Sequence, residues 1–336
     1  MRDSWCFVRL LAVLIAGLAG WPGVIAAQSL NARDGSDQAP RLWLVQNLWG
    51  FRQWPAVEQE WSVDEQLEKL RQTEFDAFDV ALPDDAAEPG VIAHWRALAA
   101  KYGLGIGVEA FPERVEDLDA ALPFIKGVQA PYVDLHVGGY FMAEGDAEAL
   151  LRSLVERCKS EGIPMMTQTH RGRVTQDLLR TVRYANAIPD LRFALDVSHY
   201  VVAGELTGEL SPEARGAFDV LVRRTAMLDG RVSNGEQVQI DIGSGGDTPH
   251  AKRFAALWKQ AMIAWLQSAV PGDLFIFRVE LGPPDYAIRD LSGREISDRW
   301  AQALVIRDLA ERLWNEAVRE TGKGELHASG ARGGDR

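Results

Sequence analysis

YVDLHVGGYFMAEGDAEALLRSLVERCKSEGIPMMTQTH, residues 132–170, reads as strand, helix, strand. Its two ends are short apolar runs of strand length. The stretch between them has helical spacing and closes on Gly162, where a helix calls for a left-handed C-terminal residue. The same unit recurs along the chain. Apolar runs at RLWLVQNLW, FDAFDVALP, GLGIGVEAF, YVDLHVGG, IPMMTQTH, LRFALDVSH, TAMLDGRV and LFIFRVELG alternate with helical stretches, giving eight strand-helix units. Helix starts carry their own signals: Ser62 with Glu65 forms a capping box, and Ser211-Pro212-Glu213 sets a cap ahead of an N1 proline. Strands that alternate with helices pair in parallel. Eight units between residues 41 and 321 therefore predict an α/β chain folded as a single-domain (β/α)8 TIM barrel, with a doubly wound open sheet as the alternative.

The flanks read differently. Arg2 and Arg9 precede the apolar run LLAVLIAGLAGWPGVIAA, which ends in small residues at Val24, Ala26 and Ala27, so residues 1–27 are expected to be a cleaved signal peptide. Gly17, Gly20, Pro22 and Gly23 interrupt the run and speak against a membrane anchor. Residues 28–40 read as a linker, and 322–336, nearly free of apolar side chains, as a disordered tail. These features predict a periplasmic or secreted protein with no membrane association after cleavage. Loss of Cys6 with the signal would leave Cys158 alone, so stability must come from the core. A net charge of −12 and the lack of a long Lys/Arg run exclude a nucleic-acid groove.

In such a barrel the C-terminal strand ends converge on the active face, and here those ends are polar. Glu109, His136, Gln168, His170, Asp196, His199, Asp229, Arg231 and Glu280 all fall there. Buried ionisable groups are expensive unless compensated, and a bound cation would compensate them. Plainer readings stand beside this one. His136 can be a core histidine, Arg173 can neutralise nearby carboxylates or cap a loop, Trp43, Trp49 and Trp54 can be core or lid packing, and His94 and Cys158 sit in helical patterns.

Five segments in order, YVDLHVGGYF, TQTHRGRVTQDLL, LDVSHYVVAGE, DGRVSNGEQV and VELGPPDY, resemble the sugar phosphate isomerase/epimerase family of xylose-isomerase-like TIM barrels, in a branch with the patterns E-T-H-R-G-R, D-x-S-H, H-x-R-V and E-L-G-P. The resemblance implies a divalent metal held by strands 5 to 8 and proton abstraction next to a carbonyl through an enediolate. It places Asp196 and Glu280 on metal-ligand positions and His199 on a substrate contact. Gln168 stands where the family has a glutamate, and Asp229 where it has a histidine. The implied ligand set is Gln168, Asp196, Asp229 and Glu280. It offers only oxygen donors, which favours Mg²⁺ or Mn²⁺ over Zn²⁺.

An amide cannot take a proton from carbon, so two-base epimerisation is impaired and the acid-base work falls to Glu280, His170 and Glu109. His136, His199, Arg171 and Arg231 are the expected substrate contacts, with Arg171 or Arg173 also placed to stabilise an oxyanion. The expected activity is that of an isomerase or epimerase on a sugar or oxidised sugar. The alternatives are a one-base lyase or hydratase on keto-glycosides, and a sugar-binding barrel without catalysis. A phosphodiesterase would need more metal-binding histidines and a basic face than this chain has. The sequence leaves both a monomer and a homodimer open.

Overall fold

The computed structural model describes residues 30–327. The expected signal peptide lies outside them, as do residues 328–336. Eight parallel strands form the barrel: β1 (Arg41–Asn47), β2 (Ala77–Ala81), β3 (Gly105–Ala110), β4 (Val133–Leu135), β5 (Met165–Gln168), β6 (Phe193–Leu195), β7 (Thr225–Gly230) and β8 (Asp273–Val279). Each pairs with the next, and β8 pairs with both β7 and β1, which closes the sheet. The barrel is therefore (β/α)8, and the open-sheet alternative falls.

The long helices α1 (Val63–Gln72), α2 (Pro89–Tyr102), α3 (Val115–Gly127), α4 (Glu144–Glu161) and α5 (Leu178–Ala187) follow the first five strands. After β6 come α6 (Val197–Ala203) and α7 (Pro212–Val222), and then α8 (Pro249–Ser268) and α9 (Arg299–Thr321) follow β7 and β8. The Ser62–Glu65 capping box is formed, Ser211 caps α7, and Gly103 and Gly162 end their helices at φ 66° and 75°. The segment after β6 begins at once as α6, because the Asp196 side chain accepts from the Ser198 backbone N–H and caps a helix at the strand's end.

Strand β8 shows how the wall is built. Phe275 and Phe277 point outward, where they meet Trp265, Trp314 and Trp258 of α8 and α9 edge-on or stacked. The alternate residues Ile276 and Arg278 therefore point inward, since side chains switch faces at every residue. Low in the barrel the filling is large and apolar, with Trp43 set edge-on to Tyr132 at 6.3 Å. Higher up it turns ionic.

Both flanks are tied to the bottom of the barrel over their described parts. Ala32–Arg33 adds a short antiparallel strand to the start of β8, and Trp265 Nε1 donates to Asn31 Oδ1 at 3.0 Å. Residues 28–40 thus include sheet rather than linker alone. Beyond α9, the Glu325 N–H donates to the Pro40 carbonyl and its own carbonyl accepts from Trp314 Nε1, each at 2.8 Å. The described start of the tail is docked because its backbone finds partners there.

Gly107 sits where the apolar and ionic layers meet. A Cβ there would lie 1.9 Å from Asp79 Oδ1 and 2.3 Å from the Tyr132 hydroxyl, which hydrogen-bond each other. Gly107→Ala is expected to lower stability by about 1–3 kcal/mol through overpacking. Gly139→Ala, where a Cβ meets nothing within 4 Å, should leave the thermal midpoint unchanged and serves as the control.

Candidate active site

One guanidinium organises the mouth-side half of the barrel. Arg278 of β8 is fully buried. Its Nε donates to Asp229 Oδ1 at 2.7 Å and its Nη1 to Asp79 Oδ2 at 3.0 Å, with Glu109 on the same nitrogen. Its Nη2 lies 2.9 Å from Asp134 Oδ2 and 3.3 Å from Gln168 Oε1. Carboxylates from β2, β3, β4 and β7 and an amide from β5 thus converge on one cation. Burial works against the charge, but Asp229, Glu109 and Asp134 hold the guanidinium firmly protonated.

A second cation lies nearer the opening. Arg231 Nη2 pairs with Asp196 Oδ2 at 3.1 Å and with Glu280. Oxygens of Asp196, Asp229 and Glu280 all lie within 4.8 Å of one another. Six buried carboxyl groups, Asp79, Glu109, Asp134, Asp196, Asp229 and Glu280, face two guanidiniums, so negative charge is under-compensated. Burial pushes the Glu280 carboxyl up to about 8 and Asp79 up to about 6, and it raises Asp134 and Asp196 as well. Glu109 goes the other way. Burial opposes its charge, yet Arg278, the neighbouring His136 and a 2.9 Å hydrogen bond from Asn47 hold it at about 2. Of the three expected acid-base residues, Glu280 is poised near neutrality, Glu109 is a fixed carboxylate and His170 is a neutral ring.

Three histidine rings form a ladder over this floor. His136 and His170 centre 5.5 Å apart, and His170 and His199 4.1 Å apart. Burial lowers all three, His170 to about 2, so they are neutral at pH 7. His170 Nε2 lies 3.1 Å from the Tyr286 hydroxyl, while among the described residues neither ring nitrogen of His199 has a hydrogen-bond partner. The mouth cavity measures about 190 Å³ and reaches Glu109, Glu280 and Arg231 at its floor, with Trp49, Phe111, His136, His170, Arg173 and Tyr286 around it. Trp49 stands edge-on to Tyr286 at 5.2 Å, whereas Trp43 is core. A larger cleft of about 680 Å³ between α7 and α8 is walled by helices and loops rather than strand ends, so barrel chemistry belongs to the smaller cavity.

The donor set suits a hard divalent ion. Asp196, Asp229 and Glu280 supply oxygens only, and the negative charge left over by Arg231 and Arg278 favours a further cation. Gln168 is differently engaged: its Nε2 donates to Asp229 Oδ2 at 2.6 Å and its Oε1 faces Arg278. An ion on the triad would share Asp196 and Glu280 with Arg231, so that side chain must yield part of its contact. Glu109, Asp134 and His136 form a second group of suitable spacing, but Arg278 already rests on both of its carboxylates.

Glu109, His136, His170, Arg231 and Glu280 meet at the cavity; Gln168, Asp196, His199 and Asp229 lie behind or beside its floor; and Arg171 stacks over Tyr286 at 4.9 Å. Sequence reasoning missed Arg278, Asp79, Asp134, Asn47 and Tyr286. A charged residue at an inward position of an apolar run was the available signal for the first three.

No protein-family model matches the chain, and no curated protein matches it. Solved structures do. A D-tagatose 3-epimerase-like protein aligns over 82% of this chain and 100% of its own at 14% identity and a TM-score of 0.54. A xylose isomerase-like TIM barrel protein from Mycobacterium smegmatis, in complex with magnesium, aligns over 82% and 98% at 12% identity and a TM-score of 0.55. The probable 3-DHS dehydratase AsbF of Bacillus anthracis aligns over 80% and 98% at 10% identity and a TM-score of 0.52. The chain has the xylose-isomerase-like TIM-barrel fold.

Two measurements test the charge balance. Arg278→Met leaves four carboxylates without their shared cation and is expected to lose about 3–5 kcal/mol, seen as a lowered denaturation midpoint at pH 7 that recovers toward pH 5. In the metal-free protein, Glu280 and Asp79 bind protons when folded that the unfolded chain has already released. Their contribution to stability is therefore full below their ordinary pKa values and is lost as pH rises from about 4 through about 8. Glu109 acts oppositely, and its contribution disappears only as pH falls toward about 2. Melting curves with and without Mn²⁺ should show greater stabilisation by the ion at pH 8 than at pH 5.

Proposed function

We propose that this chain is an exported, divalent-metal-assisted enzyme that moves a proton on the carbon next to a sugar carbonyl. The observation that carries the reading is the meeting of the Asp196–Asp229–Glu280 triad, with Glu280 poised near neutrality, at the floor of a strand-end cavity. Bound Mg²⁺ or Mn²⁺ would polarise the substrate carbonyl. Glu280 in its ionised form accepts the proton from carbon, and the electron pair moves into the carbonyl to give an enediolate. Arg231 beside Glu280 donates to the developing oxyanion. Returning the proton to the neighbouring carbon completes an isomerisation, and expelling a β-hydroxyl as water completes an elimination.

A one-base course is favoured over two-base epimerisation. Glu109 is a fixed carboxylate under Arg278, and Gln168 carries no exchangeable proton acceptor, so Glu280 has no equal partner across the cavity. The His170–Tyr286 pair remains available to relay a proton to or from an oxygen. The occupant is small, because 190 Å³ falls below the range of about 300–1,000 Å³ usual for drug-sized ligands.

The test is elemental analysis of residues 28–336 together with deuterium exchange from solvent into keto-sugars. Close to one equivalent of manganese or magnesium, lost in Asp196→Asn, with exchange in the wild type, is the expected result. Glu280→Gln should abolish exchange while remaining folded at pH 8, since the amide resembles the protonated acid. Metal-free protein that takes up no ion and exchanges no proton would leave a sugar-binding barrel without catalysis.

A further inference from the structure

The loop after β5 carries two guanidiniums that the ionic floor does not use. Gly172, at φ 81°, turns the chain between Arg171 and Arg173. The turn sends them to different walls: Arg171 lies over the Tyr286 ring at 4.9 Å and Arg173 over the Phe111 ring at 5.2 Å. Both rings line the mouth cavity, and Arg173 lines it directly. Of the two plainer roles sequence suggests for Arg173, capping a loop fits its contact with the Gly138 carbonyl, while among the described residues no carboxylate lies within ion-pair distance. Among the described residues its side chain makes one hydrogen bond, from Nη1 to the Gly138 carbonyl at 3.3 Å, and it forms no ion pair; Glu113 is only a more distant negative charge.

Arg231 is committed to Asp196 and Glu280, and the three histidines are neutral, so among the described residues Arg173 is the cavity-wall cation that forms no ion pair. Half-burial weakens its hold on its proton, and an anionic partner would reverse that. A guanidinium presents parallel N–H donors that match a carboxylate in a bidentate pair. The carboxylate floor repels such a group, and the cationic wall attracts it. One molecule in a cavity of this size is then oriented with its acid at the wall and its carbonyl at Glu280.

We propose that the substrate is a carboxylate-bearing monosaccharide, a sugar acid of the uronate type, and that Arg173 is its specificity-determining anchor, with Arg171 adding a second cation at the rim. The assignment rests on the proposed sugar chemistry only for the identity of the rest of the molecule.

The test measures binding by calorimetry and thermal shift, with Mn²⁺ present. The probes are D-glucuronate, D-galacturonate and D-mannuronate, their neutral parent aldoses, and the corresponding 6-phosphates. At least one uronate should bind ten-fold or more tighter than its parent aldose, about what one charge-assisted hydrogen bond supplies. Arg173→Gln should remove that preference, and Arg173→Lys should restore part of it. Equal binding of uronate and aldose, a uronate preference that survives Arg173→Gln, a preference for the phosphates, or no binding by any probe would overturn the anchor. Proton exchange is read separately, on the wild-type protein. Uronate binding with no proton exchange would therefore sink the proposed reaction and spare the anchor, whereas exchange on neutral sugars without a uronate preference would do the reverse.

Discussion

A single buried cation makes this barrel feasible. Four carboxylates from four strands could not share a dry interior alone, because each would lose hydration worth several kcal/mol with only like charges in return. Arg278 converts that repulsion into a cross-link. Its planar fork reaches β2, β3, β4, β5 and β7 from β8, so strands distant around the sheet are tied through the middle as well as along their edges. A lysine, with one compact charge, could not span that set.

This hub also divides labour between the acidic groups. Glu109, pressed against Arg278 and Asn47, is held as a permanent anion, whereas Glu280, 3.9 Å from Arg278 and under Arg231, stays near the protonation midpoint of neutral water. Two glutamates on neighbouring faces of one cavity thus differ by their cation contacts rather than by their chemistry. The residue with the looser compensation is the one that can take part in a reaction.

The barrel was legible because the period of the sequence changes cleanly from strand to helix eight times, and caps at Ser62, Ser211, Gly103 and Gly162 mark the changes. The mouth was legible because strand ends such as Glu280 and His170 follow apolar runs directly. Arg278 was not, although LFIFRVELG contains it: from sequence it looks like one charge in a strand, and only closure of the barrel shows that five other strands aim at it. Gln168 likewise reads as a ligand from its position along the strand, while its partners Asp229 and Arg278 are 61 and 110 residues away. Long-range side-chain pairing of this kind leaves no local trace. Tyr286 was hidden for a different reason, since it comes from an irregular loop whose path no periodicity sets.

The short strand at Ala32–Arg33 and the docked residues near Glu325 meet at the pole of the barrel away from the cavity. The contacts that hold the described ends are thus made away from the entrance and leave the cavity's face free. The short strand extends the last barrel strand on the edge opposite the first, while Glu325 holds Pro40 just ahead of the first strand, so the start of β8 is gripped from both sides.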